Sequence, residues 1–353
     1  MSAAPSRPAA VERVCLLLAD LSGYTAYLAG AEPDHAPAMA GDLVETVIRQ
    51  LRPAFRLAKV EGDAAFLVAP LERVDGPILL DAIEAADDAF ARRLAGLTAA
   101  TTCDCESCRR VPQLDLKFVA HAGSVVRHRV AGREELGGTD AIIVHRLLKA
   151  DAPAAAGVGR YLLFTDACAV ALGLDASALG ATPAVERFDH IGEVPVHLLD
   201  LANRGREGTA RWQPPRSAAL ARVELSVAAA PMTVWEELTS PHRRQAWEGL
   251  LRIEEEPVGG RRGVGTLSSC AAERLSTLEE ILEWRPFEAF VRRATLPGIG
   301  RLAMRAELRG DDSDAARTNL SVAWYGTAVT GAEAAAQRER LLAHAASLRE
   351  VTT

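Results

Sequence analysis

Two carboxylates stand out by where the sequence places them. The apolar run VCLLLA over 14–19 has strand length and ends in Asp20, followed by Leu21, Ser22, Gly23, Tyr24 and Thr25. A buried strand that carries a carboxylate to its C-terminal end, with a Ser-Gly turn behind it, presents an acid at a site. Asp63 lies in Glu61-Gly62-Asp63, the turn of a hairpin between strands expected at 55–60 and 64–69. Taken singly, Asp20 is better explained as a helix N-cap and Asp63 as a turn residue, since Asp is common at both places. A different chemistry is offered by Cys103, Cys105 and Cys108, spaced Cys-x-Cys-x-x-Cys in the polar stretch 101–110. Three thiolates this close suit a soft metal, zinc before an iron–sulfur cluster, with the fourth ligand open between Asp104, a histidine, Cys168 and a partner chain. A reduced surface cluster is the alternative.

These residues need elements to hold them. The chain has 353 residues, room for two domains. Apolar residues make up 49% and charged residues 25%, which excludes a disordered chain and a membrane bundle. No apolar run reaches spanning length and the first ten residues lack a signal-peptide pattern, so the cytoplasm is the expected location. A formal net charge of -7 gives no basic footprint for nucleic acid. Residues 1–202 carry 19 Lys/Arg against 27 Asp/Glu, and 203–353 carry 21 against 20. All five Trp fall in the second part and five of the six Cys in the first. The spacing predicts a first domain over 12–202, a Gly- and Pro-containing linker at 203–217, and a second domain over 218–353. In the first, helices are expected near 37–51, 78–97 and 141–150, and a strand at 114–121, an α/β or α+β alternation.

At this point the motifs carry a resemblance. Asp20-Leu-Ser-Gly-Tyr-Thr25 resembles the Asp-Ile-x-Gly-Phe-Thr signature of class III nucleotidyl cyclases, and Lys59-Val-Glu-Gly-Asp63 is similar to that family's Lys-x-x-Gly-Asp hairpin. The stretch 136–146 matches the place where the family has a Gly, an Asn four residues on and an Arg eight residues on, and 188–197 resembles its closing strands. The likeness covers about 12–200, and is narrower to bacterial cyclase-like proteins of uncharacterised function with a Cys-x-Cys-x-x-Cys insertion before the fourth strand. It implies a ferredoxin-like α+β domain that forms a homodimer with shared sites. Asp20 and Asp63 would hold two magnesium or manganese ions, since hard cations want carboxylates. Backbone N–H groups from Leu21 through Ser22, Gly23 and Tyr24 to Thr25 would face the triphosphate of a purine nucleotide. Lys59 and Glu135 would read the base, and Arg146 would neutralise charge on the α-phosphate. His121 and His145 receive no catalytic role. One departure is plain: the family's Asn falls on Ile142, which cannot orient a ribose, and losing such a contact commonly costs on the order of a hundredfold in rate.

The second domain reads as a strand at 219–228, a helix opened by Pro231, strands at 250–256, 265–271, 275–283, 289–295, 300–308 and 318–325, and a closing helix over 333–350. This order, with Trp235 and Trp247, resembles the helix-grip fold of the START and polyketide-cyclase-like (SRPBCC) superfamily. The resemblance implies a cavity for a lipid-like or aromatic molecule, although the Trp residues equally suit a filled core. The combined expectation is a cyclase-like domain coupled to, and regulated by, a hydrophobic-ligand domain in a signalling protein. The competing expectation is a non-catalytic sensor or scaffold with a degenerate cyclase domain.

Overall fold

The computed structural model describes residues 10–29, 36–100, 109–202, 221–273, 276–296, 300–311 and 314–326, together with positions 212, 214, 219, 336 and 339. The chain divides into two compact units, Met1–Gly205 and Arg206–Thr353. Both are mixed α and β.

The first unit runs β1 (Val11–Ser22), α1 (Tyr24–Ala29), α2 (Ala36–Leu51), β2 (Arg56–Glu61), β3 (Ala64–Pro70), α3 (Gly76–Ala100) and β4 (Asp115–Val130). It continues through β5 (Arg133–Gly137), α4 (Thr139–Leu147), α5 (Ala152–Ala155), β6 (Tyr161–Thr165), α6 (Asp166–Leu172), β7 (Thr182–Phe188) and β8 (Gly192–Asp200). The sheet order is β2-β3-β1-β4-β6-β8-β7, with β5 paired to the far end of β4. Its first four strands lie β4-β1-β3-β2, all antiparallel, with helices on the β1-to-β2 and β3-to-β4 connections. That is the split βαββαβ arrangement.

β1 is buried on both faces because it is central, which is why it reads as an unbroken apolar run. Val14, Leu16 and Leu18 pack with Val144 and Leu147 of α4 in one core. α2 presents Leu43, Val47 and Leu51 at helical spacing, all buried. β1 continues as strand through Ser22, paired with Asp115, so the expected turn is shorter than the sequence suggested. Leu21 is buried, and Gly23, at φ +85°, makes the bend into α1.

The second unit runs β9 (Ala221–Val227), α7 (Pro231–Thr239), α8 (Pro241–Glu248), β10 (Arg252–Glu256), β11 (Leu267–Ala271), β12 (Ser276–Arg285), β13 (Ala289–Leu296), β14 (Gly300–Asp311) and β15 (Asp314–Gly326). Its strands form one antiparallel sheet in the order β10-β11-β12-β13-β14-β15-β9. Trp235 of α7 is fully buried, edge-on to Trp284, Phe287 and Phe290, and Trp324 is buried as well. These rings fill the core, the second of the two roles the sequence allowed them. α8 was not expected: its apolar positions are sparse, and it is held by charge. Most of the closing helix at 333–350 lies outside the described residues, of which Ala336 and Glu339 are helical.

Candidate functional site

Asp20 follows the six buried residues 14–19 of β1, paired with Ala64 on β3 and Lys117 on β4. Its carboxylate meets Lys117 Nζ at 2.8 Å. Tyr161, paired with Lys117 from the other side, has its phenol pushed up to about 12 by burial and then by the charge of Asp20. Asp63 sits in the β2–β3 turn, where partial burial and the neighbouring charge of Asp20 raise its carboxyl above the ordinary range, with Lys117 opposing. The phenol of Tyr24 is raised in turn, by burial and by Asp63. Asp20, Asp63 and Tyr24 therefore share one electrostatic neighbourhood, as the sequence reading required of the two acids.

Lys59, Glu135 and Arg146 come together elsewhere on the unit, around a cavity of about 470 Å³ between β2, β5 and α4. Lys59 Nζ lies 3.0 Å from Glu61 Oε1 and 3.8 Å from Glu135 Oε2. Glu61 reaches on to His145 of α4, with Nε2 and Oε2 3.0 Å apart, and His145 Nδ1 lies 2.6 Å from the backbone oxygen of Ala141. Carboxylate and carbonyl only accept, so the imidazole donates from both nitrogens when both bonds are made. Burial alone would raise the Glu61 carboxyl, but the Lys59 hydrogen bond and the His145 charge together hold it below the ordinary range. Phe66 and Ala58 supply apolar lining. Ile142, Arg146 and Lys149 line the cavity from successive turns of α4 and the residues just after it. Arg146 and Lys149 have no ion-pair partner among the described residues. Ile142 is 53% exposed, apolar surface turned to the cavity rather than to the core.

α4 is set against β4 by a chain of polar contacts that runs from the surface inward. The Ser124 N–H donates to Asp140 at 2.6 Å, and the other Asp140 oxygen lies 3.2 Å from His121 Nε2. His121 Nδ1 is 2.9 Å from the Thr165 hydroxyl, which also caps α6 by accepting from the Cys168 N–H. Asp140 packs over Gly123 so closely that a Cβ there would fall 2.6 Å from Asp140 Cβ and nearer still to its carboxyl. Gly138, at φ +130°, opens the helix.

The structure brings the two acids of the sequence reading together and gathers its Lys59, Glu135 and Arg146 around one cavity, and it adds beside them Glu61, His145, Lys117 and Lys149, to which the sequence reading gave no role. The pattern Lys59-x-Glu61 on one strand was the available signal, because residues two apart on a strand share a face. Cys103, Cys105 and Cys108 lie outside the described residues. Among the described residues no group of three or more His, Cys, Asp or Glu gathers that could hold a metal by itself. In the second unit Arg244, Glu248, Glu279 and Arg292 form a largely buried ionic cluster. Arg244 bonds Glu248 at 3.0 Å and Glu279 at 2.7 Å, and Arg292 bonds Glu248 at 3.1 Å. Among the described residues no helix is long and apolar enough to cross a membrane.

A family model described as a protein of unknown function, DUF2652, matches residues 40–156. The chain is 39% identical over 160 residues to the Uncharacterized protein Rv2561/Rv2562 of Mycobacterium tuberculosis, across 45% of this chain and 72% of that protein. It belongs to that protein's family. Among solved structures it is similar to the guanylyl cyclase Cya2, at 10% identity and a TM-score of 0.40 over 54% of this chain and 92% of that one. The adenylyl cyclase CyaB from P. aeruginosa gives 10% and 0.41 over 55% and 97%. DynU16, a putative protein in the dynemicin biosynthetic locus, gives 24% and 0.30 over 38% and 47%.

Proposed function

We propose that the first unit is a class III cyclase-like domain that binds a purine nucleoside triphosphate with divalent cations and closes it to a cyclic nucleotide. The observation that carries this reading is one cavity lined both by Lys59, Glu61 and Glu135 and by the cations Arg146 and Lys149, which have no ion-pair partner among the described residues. A heterocycle with a polyanionic tail fits that distribution. In the reaction the ribose 3′-oxygen bonds to the α-phosphorus, the bond to pyrophosphate breaks, and the hydroxyl proton is released. Arg146 meets the charge that builds on the α-phosphate. Asp20 and Asp63 suit magnesium or manganese: they are hard oxygen donors, and a bound cation would relieve both the burial and the Asp20 repulsion that raise the Asp63 carboxyl. With only two protein ligands, the triphosphate oxygens and water complete such a site. The bound ions would activate the attacking oxygen and hold the leaving one.

Asp20 and Asp63 do not line the cavity that holds Lys59 and Arg146. This favours a homodimer in which each site takes its acids from one copy and its cavity from the other. For the second unit we propose a helix-grip domain for a lipid-like or aromatic molecule that regulates the first, and for Cys103, Cys105 and Cys108 a zinc site, all in a cytoplasmic signalling protein. A second reading, nucleotide binding without turnover, is favoured by one observation, the exposed Ile142 in the cavity wall.

The test is incubation of the full chain with ATP or GTP and manganese or magnesium, followed by detection of cyclic product. Asp20→Ala and Arg146→Ala should each abolish it. Mixed with subunit exchange, they should recover about a quarter of wild-type activity, since half the dimers are mixed and each has one intact site of two. No product but cation-dependent nucleotide binding would establish the second reading, and neither would remove both.

A further inference from the structure

The acid pair of the first unit comes with a cation of its own. Asp20 and Lys117 are cross-strand partners on β1 and β4, and their contact at 2.8 Å is largely buried, the side chains being 13% and 17% exposed. Lys117 also opposes the rise of the Asp63 carboxyl, so its ammonium acts on both acids. Tyr161, on the other side of Lys117, has a phenol pushed up to about 12 and adds no competing charge. Two carboxylates and one ammonium thus leave a single net negative charge. A divalent cation that takes Asp20 has to take it from Lys117, and a largely buried ammonium without a partner is costly.

β4 supplies the second partner. Asp115 lies two residues before Lys117 in unbroken register with β1, so the two share a face, roughly 6 to 7 Å apart along the strand and within reach of a lysine side chain. The Asp115 carboxylate accepts the Leu116 N–H at 2.9 Å and has no ion pair among the described residues. Burial raises this carboxyl, with the Leu116 N–H and the charge of Arg160 opposing, so an ammonium is the group it lacks.

We infer that Lys117 gates the acid pair: it holds Asp20 when no divalent cation is bound and passes to Asp115 when one is, so that cation binding is an exchange between two carboxylates of one sheet face. The inference rests on the cation reading of Asp20 and Asp63 above. It goes beyond that reading by adding Lys117 and Asp115, which set how tightly a cation is held.

The experiment titrates manganese into the nucleotide-free full chain and follows the free ion by electron paramagnetic resonance. Asp20→Asn gives the baseline for manganese bound elsewhere, and far-UV circular dichroism checks that each variant is folded. An opposite charge in contact with a carboxylate changes its affinity for a proton by roughly ten- to thousandfold. Lys117→Met and Lys117→Gln should therefore each bind manganese about tenfold tighter than wild type or more. Asp115→Asn should weaken binding in the wild-type chain and weaken it less in Lys117→Met, where no ammonium needs a second partner. A lysine that only props Asp20 in place gives the opposite sign, because its loss would loosen the site. Affinity unchanged or weakened in the folded Lys117 variants overturns the gate and leaves the cation site standing. An Asp115→Asn effect of equal size in both backgrounds overturns Asp115 as the receiving carboxylate. Manganese binding no greater than the Asp20→Asn baseline in wild type and in both Lys117 variants overturns the gate and the cation site together.

Discussion

Gly123→Ala tests how the cavity helix is held. Ordinary contact begins at about 3.4 Å, whereas the new methyl would lie 2.6 Å from Asp140 Cβ, so the first turn of α4 must retreat by roughly 0.8 Å. That retreat removes the bonds from the Ser124 N–H at 2.6 Å and from His121 Nε2 at 3.2 Å. Hydrogen bonds to a charged acceptor contribute about 1.5 kcal/mol each at the low end suited to a part-exposed carboxylate, so the loss is about 3 kcal/mol. A strand Gly→Ala returns up to about 1 kcal/mol through the unfolded chain, leaving about 2 kcal/mol of destabilisation. For a unit of this size that is a fall of about 4 to 8 °C in Tm. All five Trp lie beyond residue 205, so Trp fluorescence follows the second unit and far-UV circular dichroism follows both. The expected result is an early transition seen by dichroism alone. In an Asp140→Gly background, where those bonds are already absent, the same change should be neutral to stabilising by up to about 1 kcal/mol, a coupling of about 2 to 3 kcal/mol. Gly123→Ala within about 0.5 kcal/mol of wild type, or an equal cost in both backgrounds, would refute the packing argument.

Three further outcomes are expected. Burial and Asp20 raise the Asp63 carboxyl, so its stability contribution is present at low pH and is lost as pH rises through its folded pKa. Asp63→Asn should therefore raise the Tm of the first unit at neutral pH without divalent ions and abolish the added shift from magnesium and GTP; a retained shift would count against Asp63 as a cation ligand. Arg244→Met should cost the second unit about 3 kcal/mol, read by Trp fluorescence in denaturant, because two largely buried carboxylates each lose one of their two arginine partners. Burial opposes ionisation of Glu248, but Arg292 and Arg244 outweigh it and lower its pKa, so its contribution is present above the ordinary carboxylate range and lost as pH falls through the folded value. An acid transition unchanged by Glu248→Gln would show that another group governs it. Protein purified without chelator should carry near-stoichiometric zinc by elemental analysis, and Cys105→Ser should lose it; wild-type protein free of transition metal would remove the zinc site.

Much of the local architecture was legible in the residue order. The 14–19 run, the helical spacing of Leu43, Val47 and Leu51, and the turn at Gly62 each impose a short-range pattern that only one element satisfies. The motif residues Asp20, Lys59, Asp63 and Arg146 were visible because their neighbours in sequence are also their neighbours in structure. What lay beyond reach were the partnerships that sheet register creates. Lys117 meets Asp20 only because β4 lies beside β1, and His145 meets Glu61 across 84 residues. Asp140 overlies Gly123 because α4 crosses back over β4, and no periodicity in the chain announces a notch that only a missing side chain can provide. Nothing in the residue order singles out Arg244, Glu248, Glu279 and Arg292, whose types are ordinarily found as solvated surface charges. Their burial was decided by the packing of α8 on β12 and β13, because desolvated charges persist only where the fold brings opposite charges into contact, and that requires the whole sheet to be in place.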